Sequence, residues 1–74
     1  MNLYLLRQDE NEWYDTYDSC IVVAESEEEA VQISPAGVGV WAPSPDHVAC
    51  TLIGKAVDNI EHDNGIVLAS FNAG

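Results

Sequence analysis

Basic side chains are almost absent from this 74-residue sequence: Arg7 and Lys55 stand against thirteen Asp and Glu, for a formal net charge of −11. Contacts to phosphate need Lys and Arg, so the sequence excludes direct binding to nucleic acid. Attachment to an anionic membrane surface is excluded on the same ground. No apolar run approaches the roughly 20 residues of a membrane span, and no charged segment followed by a long apolar one precedes Leu3. The sequence therefore predicts a cytosolic protein with reduced thiols. Histidine and cysteine are also scarce, at two each. His47, His62, Cys20 and Cys50 lack the close spacing of a zinc site, and Glu61-His62-Asp63 falls in a predicted loop. No metal and no cofactor is expected.

Catalytic patterns are missing too. Acid–base chemistry by paired carboxylates needs one of them desolvated in a cleft, and a chain this short has little volume for one. Asp15 and Asp18 lie three apart, so on a strand they point to opposite faces. Ser19 and Ser70 have no histidine at a spacing that would activate a nucleophile. The expectation is a protein that is not an enzyme.

What is present is enough apolar material for a core. Hydrophobic residues make up 47% and charged residues 20%, an ordinary globular mixture. The length allows a single domain, residues 1–74, close to the lower limit for folding without staples. Self-repulsion at −11 opposes compaction and is screened by salt over a Debye length of about 8 Å at physiological ionic strength. Stability should consequently rise with salt. Cys20 and Cys50 each lie in a strand-like run and read as buried free thiols; whether they pair depends on a geometry the sequence does not state.

The periodicity predicts β-β-α-β-β. NLYLLRQ at residues 2–8 is apolar on both parities, as in a strand covered on two sides or lying mid-sheet. In WYDTYDSCIVVA at residues 13–24, Trp13, Tyr17, Ile21 and Val23 share one parity, and Tyr14, Asp18 and Cys20 the other. These two strands should pair antiparallel. AESEEEAVQISP carries a helix signal of about two turns: Ser26 as N-cap, Glu29 closing a capping box, acids in the first turn and Pro35 as terminator. Such a helix needs Ala30, Ile33 and Val31 packed on the sheet. Residues 35–45 form a Gly/Pro-punctuated loop whose one large side chain is Trp41. Pro45 is suited to open a helical turn. HVACTLIGKAV and NGIVLASF supply the last two strands, the latter entered through Asn64-Gly65, a type I′ dipeptide. The predicted fold is α+β, a four-stranded antiparallel sheet with one face under a short helix, and an opposite face poorer in apolar residues and richer in Tyr, Thr, Ser and Asp.

Nine of the acids fall within residues 9–29, a stretch without Lys or Arg. DENEWYDTYDS mixes Asp9, Glu10, Glu12, Asp15 and Asp18 with Trp13, Tyr14 and Tyr17, the composition of a contact surface with apolar anchors. Glu25, Glu27, Glu28 and Glu29 extend it, although the last three also serve a helix start. Alternate side chains on a strand are about 6.6 Å apart, close to two phosphate steps of a duplex strand. Carboxylates so placed fit a groove lined by Lys and Arg.

YDTYDSCIVVAESEEEA at residues 14–30 and GIVLASFNAG at residues 65–74 resemble small acidic proteins of bacterial genomes, phages and prophages, most of them without an assigned activity. In size and acidity the chain is similar in class to anti-CRISPR proteins. That resemblance implies an inhibitor seated on a Cas effector subunit where target DNA enters, a positively charged channel. It carries over no catalytic residue. The expectation is a non-enzymatic DNA-mimic inhibitor with a basic protein surface as partner. A competing expectation is a phage or prophage accessory protein that self-associates, as a homodimer or interaction module, through an uncovered sheet face.

Overall fold

The computed structural model describes residues 1–8, 16–34, 41 and 45–72. Its elements are β1 (Asn2–Arg7), β2 (Thr16–Ala24), α1 (Glu27–Ala30), a 3-10 turn at Pro45–His47, β3 (Ala49–Lys55) and β4 (Ile66–Asn72). The strands form one sheet in the order β3-β1-β2-β4, each neighbouring pair antiparallel. The fold is the small α+β arrangement the pattern predicts. β1 is apolar on both parities because it is a central strand, bonded to β2 on one side and β3 on the other.

One face holds the core. Tyr4 lies opposite Val22 and Leu52, and Leu6 opposite Cys20 and Cys50. Tyr4, Leu6, Cys20, Val22 and Ala24 join Ala30 and Trp41 in a continuous buried cluster. Leu6 and Val22 are completely enclosed. Trp41 thus plugs the core from within the Gly/Pro-rich connection, burying an aromatic side chain worth a large share of so small an interior. Gln8 is buried at the end of β1; its backbone N–H donates to the Asp18 carbonyl at 3.1 Å and its side-chain amide to the Tyr17 carbonyl at 2.8 Å.

Three bulges reset the alternation. In β2, Tyr17 pairs with Phe71 and Ser19 with Ser70, leaving Asp18 as an extra residue. An inserted residue turns the side chains beyond it to the other face. Tyr17 therefore packs against the core cluster rather than sharing a side with Ile21 and Val23, which corrects its predicted parity. Val67 and Ile53 are the extra residues in β4 and β3.

The second face also departs from expectation. It carries Leu3 and Leu5 of β1, Ile21 and Val23 of β2 and Leu68 of β4, with Arg7, Ser19, Thr51 and Ser70 around them. This face is apolar along β1, β2 and β4, whereas β3 contributes Thr51, and Thr51, Ser19 and Ser70 are polar positions of the kind expected there.

The helix is shorter than predicted. α1 is a single turn capped by Ser26, whose Oγ accepts from the Glu29 N–H at 3.2 Å. No return bond from the Glu29 carboxylate is formed among the described residues. β-Branched Val31 and Ile33 favour packing over helical continuation, and Ser34 precedes a proline, which pushes it out of the helical region. Ala30 is buried, with Val31 and Ile33 against the core as expected. Pro45 opens a 3-10 turn as its position suggests.

β3 and β4 occupy opposite edges, so residues 56–65 cross the end of the sheet. The crossing continues both ladders: Ala56 N–H donates to the Met1 carbonyl at 3.0 Å and Val23 N–H to the Gly65 carbonyl at 2.8 Å. Asn64 and Gly65 have φ of 52° and 93°, the type I′ signature. Their turn closes a reciprocal pair between Asp63 and Ile66 at 2.8 and 3.0 Å. Gly65 N–H also donates to His62 Nδ1 at 2.9 Å. A Cβ on Gly65 would sit 2.8 Å from Ile33 Cδ1.

Cys20 and Cys50 flank Leu6 on the same face two strands apart, a separation of about 9–10 Å between Cα atoms. A disulfide needs roughly 4.4–6.8 Å, and both thiols are free. Burial pushes the Cys20 thiol up to about 11 from 9.0. Cys50 is raised by burial first and by the nearby Glu27 carboxylate second.

Gly65→Ala should destabilise the fold by about 1–3 kcal/mol in urea unfolding through its left-handed backbone, whereas Gly54→Ala, with nothing within 4 Å of the new methyl, should change it little. Equal effects of the two substitutions would contradict the turn geometry. A thiol reagent at neutral to mildly alkaline pH should modify Cys50 before Cys20, and Cys20 only as the fold opens; equal rates would show that Cys20 is not sealed. Because the folded Cys20 stays protonated up to about 11 while the unfolded thiol ionises near 9.0, its contribution to stability is complete below pH 9 and is lost as pH rises towards 11. Cys20→Ala should flatten that decline.

Candidate anionic surface

Of the twelve residues expected to form a contact surface, Asp9, Glu10, Glu12, Trp13, Tyr14 and Asp15 lie outside the described residues. Tyr17, Asp18, Glu25, Glu27, Glu28 and Glu29 are described, and they divide into three groups. Tyr17 is partly buried and packs on the core, so its ring serves cohesion as well as any contact. Asp18 is exposed at the β2 bulge and accepts from Ser19 Oγ at 3.1 Å. Glu25, Glu27, Glu28 and Glu29 are all exposed. They crowd the end of β2 and the outer side of α1, because Ala30 is the residue the turn buries.

The structure does not bring Asp18 and Glu25 together. Seven residues of extended chain separate them, roughly 23 Å along β2. Nor do the described strands carry carboxylates on alternate positions: β2 holds only Asp18, and β1, β3 and β4 hold none. The strand-ladder spacing proposed for phosphate mimicry has no example among the described residues. The physical reason is that each described strand has at least one face committed to burying apolar side chains.

Three acids join the group that sequence reasoning did not place there. The register sets Asn2 opposite both Ala24 and Lys55, and Val22 opposite Ile66. The end of β2, the end of β3 and the start of β4 therefore meet at one end of the sheet. Asp58, Glu61 and Asp63 in the crossing segment are exposed there, at the same end as Glu25. Only knowledge of the strand order could have revealed this, since more than thirty residues separate Glu25 from Asp58 in sequence.

The described carboxylates share a second property. Asp18, Glu25, Glu27, Glu28, Glu29, Asp46, Asp58, Glu61 and Asp63 are all exposed, and among the described residues none forms an ion pair with Lys or Arg. Glu27 is nonetheless close enough to Cys50 to hold its thiol protonated to higher pH, which locates this carboxylate over the β3 side of the core. The second sheet face carries Arg7, with Asp18 at its border in the same cleft.

Near the other end of the sheet, Arg7, Gln8, Asp18, Ser19, His47 and Ala49 line an open cleft of about 500 Å³. The Ser19 hydroxyl there donates to a carboxylate rather than to a histidine, an arrangement that does not generate a nucleophile. Among the described residues no three His, Cys, Asp or Glu side chains gather as metal ligands. No described helix is long and apolar enough to cross a membrane. What the arrangement offers chemically is a field of unneutralised carboxylates around α1 and the crossing segment. Comparison with known protein families, with curated proteins and with solved structures finds no match for this chain.

Proposed function

We propose that this chain is a non-enzymatic inhibitor that covers a Lys/Arg-rich nucleic-acid-binding surface of a bacterial defence complex, a CRISPR-Cas effector being the partner its size and acidity favour. The observation that carries the reading is the cluster Glu25, Glu27, Glu28 and Glu29, exposed together and unneutralised among the described residues, with Asp58, Glu61 and Asp63 at the same end of the sheet. Such a surface draws a cationic groove by long-range attraction and competes with nucleic acid for it. Mimicry here is of charge density rather than of strand-like phosphate spacing. The partner's basic groove receives the helix end of the molecule; Asp9, Glu10, Glu12, Trp13, Tyr14 and Asp15, which lie outside the described residues, stay in the proposal as further contact residues. Action in the host bacterial cytosol belongs to the same proposal.

The reading is tested by pull-down from a lysate of a host carrying CRISPR-Cas, followed by challenge of the captured complex with target DNA duplex. Target DNA should displace the protein, and the affinity should fall as salt is raised. Glu25→Lys with Glu28→Lys should weaken capture by roughly tenfold or more and flatten the salt dependence, while Asp46→Lys changes it far less. Capture that resists both target DNA and the double reversal would remove this function.

A further inference from the structure

We infer that the second face of the sheet is the contact between two copies of this chain. Leu3, Leu5, Ile21 and Leu68 lie on it by register, with Val23 buried at one end of the same row, and α1 packs on the opposite side. Leu68 remains 64% exposed, and Leu3, Leu5 and Ile21 are half-buried. Exposed apolar surface of this extent on so small a domain calls for a partner.

Charge identifies the occupant. The chain carries −11, yet the one described carboxylate at this face is Asp18, at its border beside Arg7. A cationic partner would find little there to pair with, and its natural target is the opposite side of the molecule. A second copy brings an equally apolar face, with Arg7 and Asp18 of opposite sign at its border, and a two-fold contact is self-complementary. Sheets stacked in this way lie about 10 Å apart with interdigitated side chains.

Area sets the strength. Four strands span about 19 Å and the six residues of β1 about 20 Å, so each face offers roughly 400 Å² in projection. Two such faces bury on the order of 1,000 Å², at the low end for a specific complex. Association is therefore modest and concentration-dependent. It is opposed by repulsion between two copies of charge −11, so salt strengthens it. That sign is opposite to the salt dependence of binding to a cationic groove.

Sedimentation velocity over a broad concentration range, at salt from about 0.05 to about 0.5 M, tests this. The wild-type chain should shift from monomer towards dimer with concentration, and further with salt. Leu68→Glu should weaken dimerisation by at least about tenfold. Leu52→Glu should not, because Leu52 is similarly exposed at 60% but lies opposite Tyr4 on the helix-bearing side. Thermal melts by circular dichroism confirm that both variants fold. A wild-type monomer throughout, as when another part of the chain covers the face, overturns the inference. So does a dimer that survives Leu68→Glu or is lost equally with Leu52→Glu. Effector capture is measured separately: a monomer that still competes with target DNA defeats only the dimer, and a dimer that captures nothing defeats only the proposed function.

Discussion

Leu6 sits at the point on which the other elements converge. It is completely enclosed, with Cys20 across one ladder and Cys50 across the other. Because β1 is bonded on both sides, its backbone groups are satisfied by β2 and β3, and its two rows of apolar side chains have a neighbouring strand on either flank. Cohesion has to come from this apolar packing, since charge in this molecule works against compaction and offers no compensating ion pairs among the described residues. α1 and Trp41 close one side of the strand, and the bulges at Asp18, Ile53 and Val67 bend its neighbours around it.

That arrangement sorts the charge. A strand with both faces apolar leaves no room for carboxylates, so they are displaced into the helix start, the crossing segment and the bulge at Asp18. Glu27, Glu28 and Glu29 also gain from the N-terminal dipole of α1, although a single turn offers only a small part of the usual effect. The outcome is a molecule with an anionic helix side and rim and a nearly neutral second face. The proposed affinity for a cationic surface and the proposed self-association would use different sides of the same sheet, and salt would act on them in opposite directions.

Local signals accounted for most of the fold. Ser26 as a cap, Pro45 opening a turn and Asn64-Gly65 as a type I′ turn each depend on a few neighbouring residues, and each is realised. Signals that depend on pairing were hidden. The bulge at Asp18 places Tyr17 on the core side, and no alternation rule detects an inserted residue before the partner strand is known. The same holds for the second face: Leu68 reads as one apolar residue in a short run until its position opposite Ile21 is seen. Trp41 was visible as the one large side chain of its loop, but its burial needed the core it fills. Of the contact surface, the run Glu25 to Glu29 was legible as a cluster because it is local, whereas the share of Asp58, Glu61 and Asp63 follows from strand order.

Edge strands show how charge and sheet geometry serve the same end. Among the described residues β3 and β4 are the edge strands, and an edge in a flat sheet invites endless edge-to-edge addition. Each carries a bulge, at Ile53 and Val67, that interrupts the regular row of donors and acceptors. Lys55 ends one edge, and Asp46 and Asp58 flank the same strand in sequence. An approaching copy therefore meets irregular backbone and a repelling field at the edges, while the second face presents neither. In the proposed dimer, two copies stacked by that face would close on themselves and leave their anionic sides outward, so the same distribution of carboxylates that opposes open-ended assembly would keep the helix side available to the proposed cationic partner.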